Sequence, residues 1–180
     1  MINFGGWDMP IHYGSQINEH LHTRNSTSIF DVSHMAVLDI KGSDSESFLK
    51  ILLANNIDKL VHDGQALYSC MLNPFGGILD DLIVYKVGNF FRLVVNASTA
   101  EADLEWIKGI AKDFSDIEII PRRSDLPGMQ DPIVLIALQG PQCLNVISQV
   151  FPSISHNLSQ IPYFGSKIFK TNFGEIMFST

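Results

Sequence analysis

Runs of apolar, β-branched and aromatic residues, broken by short polar or glycine-rich stretches, set out the predicted elements of this chain. Three such runs, Ala66 to Leu72, Leu79 to Val87 and Phe90 to Asn96, predict strands, with Gly88-Asn89 as a two-residue hairpin turn between the last two. An extended segment is expected from Ile29 to Ile40, a strand over Ile117 to Ile120, and a short, continuously apolar one over Ile133 to Leu138. Helical spacing enters elsewhere. Ser43-Asp44-Ser45-Glu46 reads as a capping box opening a helix whose apolar face is Phe48, Leu49, Leu52 and Leu53. Ser98-Thr99-Ala100-Glu101 reads as a second box, opening a helix to about Phe114 with Leu104, Ile107 and Ile110-Ala111 as its buried stripe. Ser15 to Arg24 predicts a short helix, and Pro141 favours another just after Gln139-Gly140. Met1 to Tyr13 reads as an irregular lead-in, and Gly165 to Thr180 as two strands around Gly174. About eight strands and four helices with hairpin-length connections make an α+β protein.

The most informative stretch is Asn73-Pro74-Phe75-Gly76-Gly77-Ile78-Leu79-Asp80-Asp81-Leu82-Ile83-Val84-Tyr85, a Pro/Gly turn opening into a strand. Side chains alternate across a strand, so the two acids point to opposite faces. Asp81 goes with Ile83 and Tyr85, and Asp80 with Leu82 and Val84. They cannot converge on one substrate atom, and at most one is a site residue. Taken alone, the stretch predicts two solvated charges at a strand entry.

Charge and composition narrow the function classes. A net charge of −7 argues against a general nucleic-acid or anionic-membrane surface. No apolar run approaches the roughly 18–20 residues of a membrane span. The first residues lack the basic region and apolar core of a signal peptide. Cys70 and Cys143 stand apart, with no C-x-x-C spacing, as expected of reduced cysteines in a cytosolic-type compartment.

Other chemistry finds little support. His12, His20, His22 and His34 with Asp31 invite a metal site, but His20 and His22 diverge on a helix and no H-E-x-x-H occurs, so none is expected. Asp31-Val32-Ser33-His34 lacks the geometry of a triad, and no G-x-S-x-G elbow is present. No G-x-G-x-x-G or P-loop occurs. Met35, Tyr68, Phe75, Tyr85 and Tyr163 could line the pocket of a flat aromatic ligand, although core packing is the commoner role of such residues.

Five blocks carry a resemblance: Phe4-Gly5-Gly6-Trp7-Asp8-Met9-Pro10, Leu21-His22-Thr23-Arg24, Phe30-Asp31-Val32-Ser33-His34-Met35, Gly76-Gly77-Ile78-Leu79-Asp80-Asp81-Leu82-Ile83-Val84 and Ala137-Leu138-Gln139-Gly140-Pro141. In this order the chain resembles the aminomethyltransferase (T-protein) family of the glycine cleavage system. The resemblance implies a tetrahydrofolate enzyme of one-carbon metabolism whose partner is the lipoylated H-protein. It implies Asp81 as the essential carboxylate, with Met35, Tyr68, Tyr85, Val94, Asn96 and Tyr163 lining the folate pocket. A cytoplasmic location follows for a bacterial-type protein, and the mitochondrial matrix for a eukaryotic one.

The resemblance also implies the T-protein folate-binding fold, two related β-rich subdomains with flanking helices. Residues 1–42 and 123–180 are expected to form the first, and 43–122 an inserted second. The break at Gly42 and the polar Arg122–Pro132 stretch mark the boundaries. The family continues beyond the counterpart of Thr180 with a pterin-binding glutamate and a C-terminal β-rich domain, so the chain is expected to be a fragment. It is expected to self-associate through the apolar surface that the absent part leaves exposed. Two other readings stand beside the enzyme. One is a related folate module, of an oxidative demethylase or an iron–sulfur assembly factor; the other is an inactive fragment.

Overall fold

The computed structural model describes residues 1–180. In chain order the elements begin with β1 (Ile2–Phe4), β2 (Trp7–Met9), α1 (Gln16–Asn25), β3 (Ser28–Asp31), β4 (Ala36–Lys41) and α2 (Ser45–Leu52). After a 3-10 turn at Ile57–Lys59 come β5 (Ala66–Leu72), β6 (Ile78–Val87), β7 (Phe90–Val95), α3 (Ala100–Ala111) and β8 (Glu118–Pro121). The last are β9 (Ile136–Gln139), α4 (Cys143–Val150), α5 (Ser155–Leu158), β10 (Ser166–Thr171) and β11 (Gly174–Ser179). No helix is long and apolar enough to cross a membrane.

The chain divides into two compact units, Met1–Val32 with Leu135–Thr180, and Ser33–Val134. The inserted unit is built on one antiparallel sheet of strand order β5-β6-β7-β4-β8. Alternate residues of its strands, Leu38, Ile40, Leu82, Val84, Leu93 and Val95, meet Phe48, Leu49 and Leu52 of α2 and Leu104 and Ile107 of α3. Burying each of these side chains contributes about 1.5–3 kcal/mol. That core fixes the register, because slipping one residue would turn the apolar set to the other face.

The first unit consists of paired two-stranded ladders and three helices: β1 with β2, β3 with β9, and β10 with β11. Val32 N–H donates to Leu135 O at 3.0 Å, extending the β3–β9 ladder to the two points where the inserted unit departs and returns.

Several local expectations change in the structure. The segment expected to run from Ile29 to Ile40 is two strands, β3 paired with β9 and β4 with β7 and β8, separated by a turn at Ser33-His34-Met35. β4, with its two neighbours, lies wholly inside the inserted unit. The lead-in forms the β1–β2 hairpin, and the strands number eleven. Neither expected capping box forms: α2 is capped by Asp44 and α3 by Thr99, in both cases without a side-chain cap bond. Distant partners outcompete the local ones. Ser43 N and Oγ donate to Asp116 Oδ2 at 2.8 and 2.7 Å, while Asp44 Oδ2 accepts from the backbone amides of Ser115 and Asp116 at 3.1 and 3.0 Å. The box-like cap sits on α1 instead, where Ser15 Oγ accepts from Asn18 N and Glu19 Oε1 reaches back to Ser15 N.

Candidate functional site

The turn before β6 is folded by one side chain. Asn73 Oδ1 accepts the backbone N–H groups of Phe75 and Gly77, each at 2.9 Å, and Gly76 takes φ +81°, a conformation suited to glycine. A register shift follows at Met71/Leu72: Leu72 faces Ile78 and Met71 faces Asp80, leaving Leu79 as the extra residue. The bulge lies before the acids, which stay in continuous register with the rest of β6, so strand alternation sets their sides. Asp80 falls on the helix-covered side with Leu82 and Val84; Asp81 falls on the open side with Ile83 and Tyr85.

Asp80 is not the solvated strand-entry charge expected of it; it is 7% exposed. Its Oδ2 accepts the backbone N–H of Asn96 at 3.1 Å and its Oδ1 the side-chain amide of Asn96 at 2.7 Å. Burial alone would raise its pKa. The Asn96 side-chain and backbone donors, with contributions from Asp103 and the Asp81 amide, outweigh burial and hold it below the usual carboxylate range.

Asp81 is exposed and engaged. Tyr68 donates its phenol to Asp81 Oδ2 at 2.8 Å, which pushes the tyrosine pKa up, and Asn96 Nδ2 lies 3.3 Å from Oδ1 and 3.1 Å from the backbone oxygen of Asp81. Pairing of the strands aligns the rest of this face. Tyr68 is opposite Ile83, Ile83 is opposite Val94, and Tyr85 follows Ile83 by two residues. Asn96 comes just beyond β7, two residues after Val94. Tyr68, Asp81, Tyr85, Val94 and Asn96, all singled out in the sequence, therefore share one sheet face. Met35 lies half-buried immediately before β4 in the same unit. Tyr163 belongs to the other unit, where it is 84% exposed and packs edge-on against Phe164, ring centroids 4.8 Å apart.

Farther along the same face is a buried ion pair. Asp39, directly opposite Arg92, accepts from its Nε and Nη2 at 2.7 and 2.9 Å. Arg122 Nε stands 3.4 Å from Asp39 Oδ2, close enough for charge attraction but without hydrogen-bond geometry.

Sequence reasoning missed Asp103. It lies in the first turn of α3, 2% exposed, and its carboxyl bonds to that of Asp80. Burial first, and the neighbouring Asp80 second, push its pKa up to about 7. A signal was present: Ala100, Asp103, Leu104 and Ile107 fall at the spacing of one helix face, so an acid occupies a core-facing position.

The face presents a hydrogen-bonded carboxylate, a phenol, a carboxamide and apolar flanks. Such a shelf suits a flat, polar-edged ring bearing nitrogens that need orienting or deprotonating.

Comparison with known proteins adds the family context. Residues 1–179 match the model of the GCVT N-terminal domain. An aminomethyltransferase of Cupriavidus necator is 49% identical over 180 residues, covering 98% of this chain and 48% of that protein. An aminomethyltransferase of Ralstonia pickettii is 56% identical over 143 residues, 78% of this chain and 38% of that protein. The crystal structure of glycine cleavage system aminomethyltransferase T from Bartonella henselae superposes with a TM-score of 0.74 at 29% identity, covering 98% of this chain and 49% of that one. The chain thus spans about half the length of the curated relatives it matches.

Proposed function

Because this chain belongs to the GCVT N-terminal domain family, we propose that it carries the Asp81 face of a glycine-cleavage aminomethyltransferase. The reaction moves a one-carbon unit from the aminomethylated dihydrolipoyl arm of the H-protein to tetrahydrofolate, yielding 5,10-methylenetetrahydrofolate, ammonia and the dihydrolipoyl protein. The relatives' names support the activity, and the observation that carries the site is Asp81, held between Tyr68 and Asn96 on a face flanked by Tyr85 and Val94.

Asp81 supplies a fixed carboxylate beside the pterin, orienting N5 for attack on the methylene carbon, receiving a proton and stabilising the positive charge that develops there. Tyr68 and Asn96 keep that carboxylate in one rotamer, so its orientation costs nothing at the moment of reaction. Asn96 pairs with the polar edge of the pterin, and Tyr68, Tyr85, Val94 and Met35 supply apolar surface around it.

The test is Asp81→Asn in a chimaera that continues this chain with the remaining half of the C. necator relative. Ammonia release should fall by about 10²-fold or more, the size of a general acid–base contribution. Because Asp81 is exposed, the melting temperature should hold. A variant turning over like its parent would remove Asp81 from the mechanism.

A further inference from the structure

We propose that Asp103 is a positioning residue for the open-face site, holding Asn96 through Asp80 so that the carboxamide presents its oxygen to a ligand. This rests on the reading of that face as the pterin site, but the linkage itself is a chain of contacts. Asp103 bonds to Asp80 within the core of the inserted unit, and its Oδ2 has no donor. Asp80 holds both the backbone N–H and the side-chain amide of Asn96. The same Asn96 amide nitrogen contacts the Asp81 carboxylate and backbone oxygen. With every close contact of the carboxamide made through nitrogen, its oxygen is the group left for a ligand N–H.

Two carboxyl groups in contact away from water cannot both be ionised cheaply, so the pair keeps one proton. The ionisable and polar groups around it do not relieve this. Asp80 and Asp81 on β6 are both acidic, Tyr68 on β5 is committed to Asp81, and Thr99 at the start of α3 offers only a hydroxyl. Arg92, the nearest arginine in sequence, is engaged by Asp39 at 2.7 and 2.9 Å, and Arg123 is taken up by Asp125 at 2.6 Å and by the backbone oxygens of His34 and Ala97 at 2.8 and 3.3 Å. The proton resides on Asp103, where burial raises the pKa, and the charge on Asp80, where donors stabilise it. Loss of that proton sets two anions against each other, and the displacement of Asp80 releases the Asn96 amide.

The experiment reads Asn96 directly, by the side-chain amide signals of the 180-residue chain in heteronuclear NMR between pH 5.5 and 8.5. They should shift with a midpoint near 7 in the unaltered chain and stay flat in Asp103→Asn, which keeps a donor but cannot ionise. Titration with tetrahydrofolate to millimolar concentration gives the second readout. Asp103→Asn should bind within twofold of the parent at pH 6, Asp103→Leu about tenfold more weakly, and only the parent should lose affinity from pH 6 to 8.5. Should the leucine variant not fold, the pH response of the asparagine variant decides. An Asn96 signal indifferent to pH in the parent, or titrating equally in Asp103→Asn, overturns the inference. A titrating Asn96 abolished by Asp103→Asn, in a chain that ignores tetrahydrofolate, upholds the positioning role and leaves the folate reading to be decided by the Asp81→Asn chimaera.

Discussion

Asp39 lies 2% exposed between two arginines, and its removal would leave both cations without their shared counter-charge. Breaking a buried pair from one side costs about 3–5 kcal/mol. Asp39→Ala should lose that much in urea unfolding. The acids at the other end of the sheet respond to pH in opposite senses. Folded Asp103 holds its proton to about pH 7, whereas an unfolded aspartate releases it near 3.9. The folded state binds more protons in that window, so this group's contribution to stability declines as pH rises from about 4 to about 7. Asp80 runs the other way: its lowered value contributes stability above the ordinary aspartate range, lost as pH falls through the folded value. Denaturant midpoints across pH 4–8 should therefore fall more steeply in the parent than in Asp103→Asn. The opposite facing of Asp80 and Asp81 was legible in the sequence because strand alternation is local. The burial of Asp80 was not, since its donors come from Asn96, sixteen residues away.

At the level of elements, Gly42 has no room for a side chain. Its φ is +112°, and a Cβ there would overlap Asp116 O, the oxygen facing the Gly42–Asp44 turn. Strain of this kind costs about 1–3 kcal/mol before the clash is counted. Gly42→Ala should lower the melting temperature of the chain more than an alanine at Gly109, which has open space around it. The same junction explains why no capping box forms at the beginning of α2. Ser43 and Glu46 have the right spacing for a cap, but Asp116 claims the serine and Lys50 the glutamate. Strands β5, β6 and β7 were legible to within a residue, because their apolar runs end at real turns. The division between β3 and β4 was not, since Val32 to Met35 contains no glycine or proline to announce the turn.

At the level of the whole molecule, apolar burial is unevenly shared. In the first unit, only Leu158 and Phe169 are buried apolar side chains, and α1 buries no residue. Amide hydrogen exchange should therefore be fast over β1, β2 and α1, and slowest in β4, β6 and β7. Ile17, Leu21, Val150 and Phe173 stand exposed in that unit, and sedimentation velocity should report association that increases with concentration. Tetrahydrofolate should bind the isolated chain with a dissociation constant well above micromolar, since small-molecule sites usually enclose about 70–90% of their ligand and a single sheet face covers less. Calorimetry giving micromolar affinity would contradict this. The β3–β9 ladder has a consequence for engineering. Strand pairing and the Val32–Leu135 bond hold the departing and returning chain side by side, so residues 33–134 begin and end at neighbouring points. A gene for that stretch alone should yield a cooperatively melting cassette, and a short glycine–serine bridge across its ends should allow new termini to be cut at the Gly88-Asn89 tip without loss of the sheet.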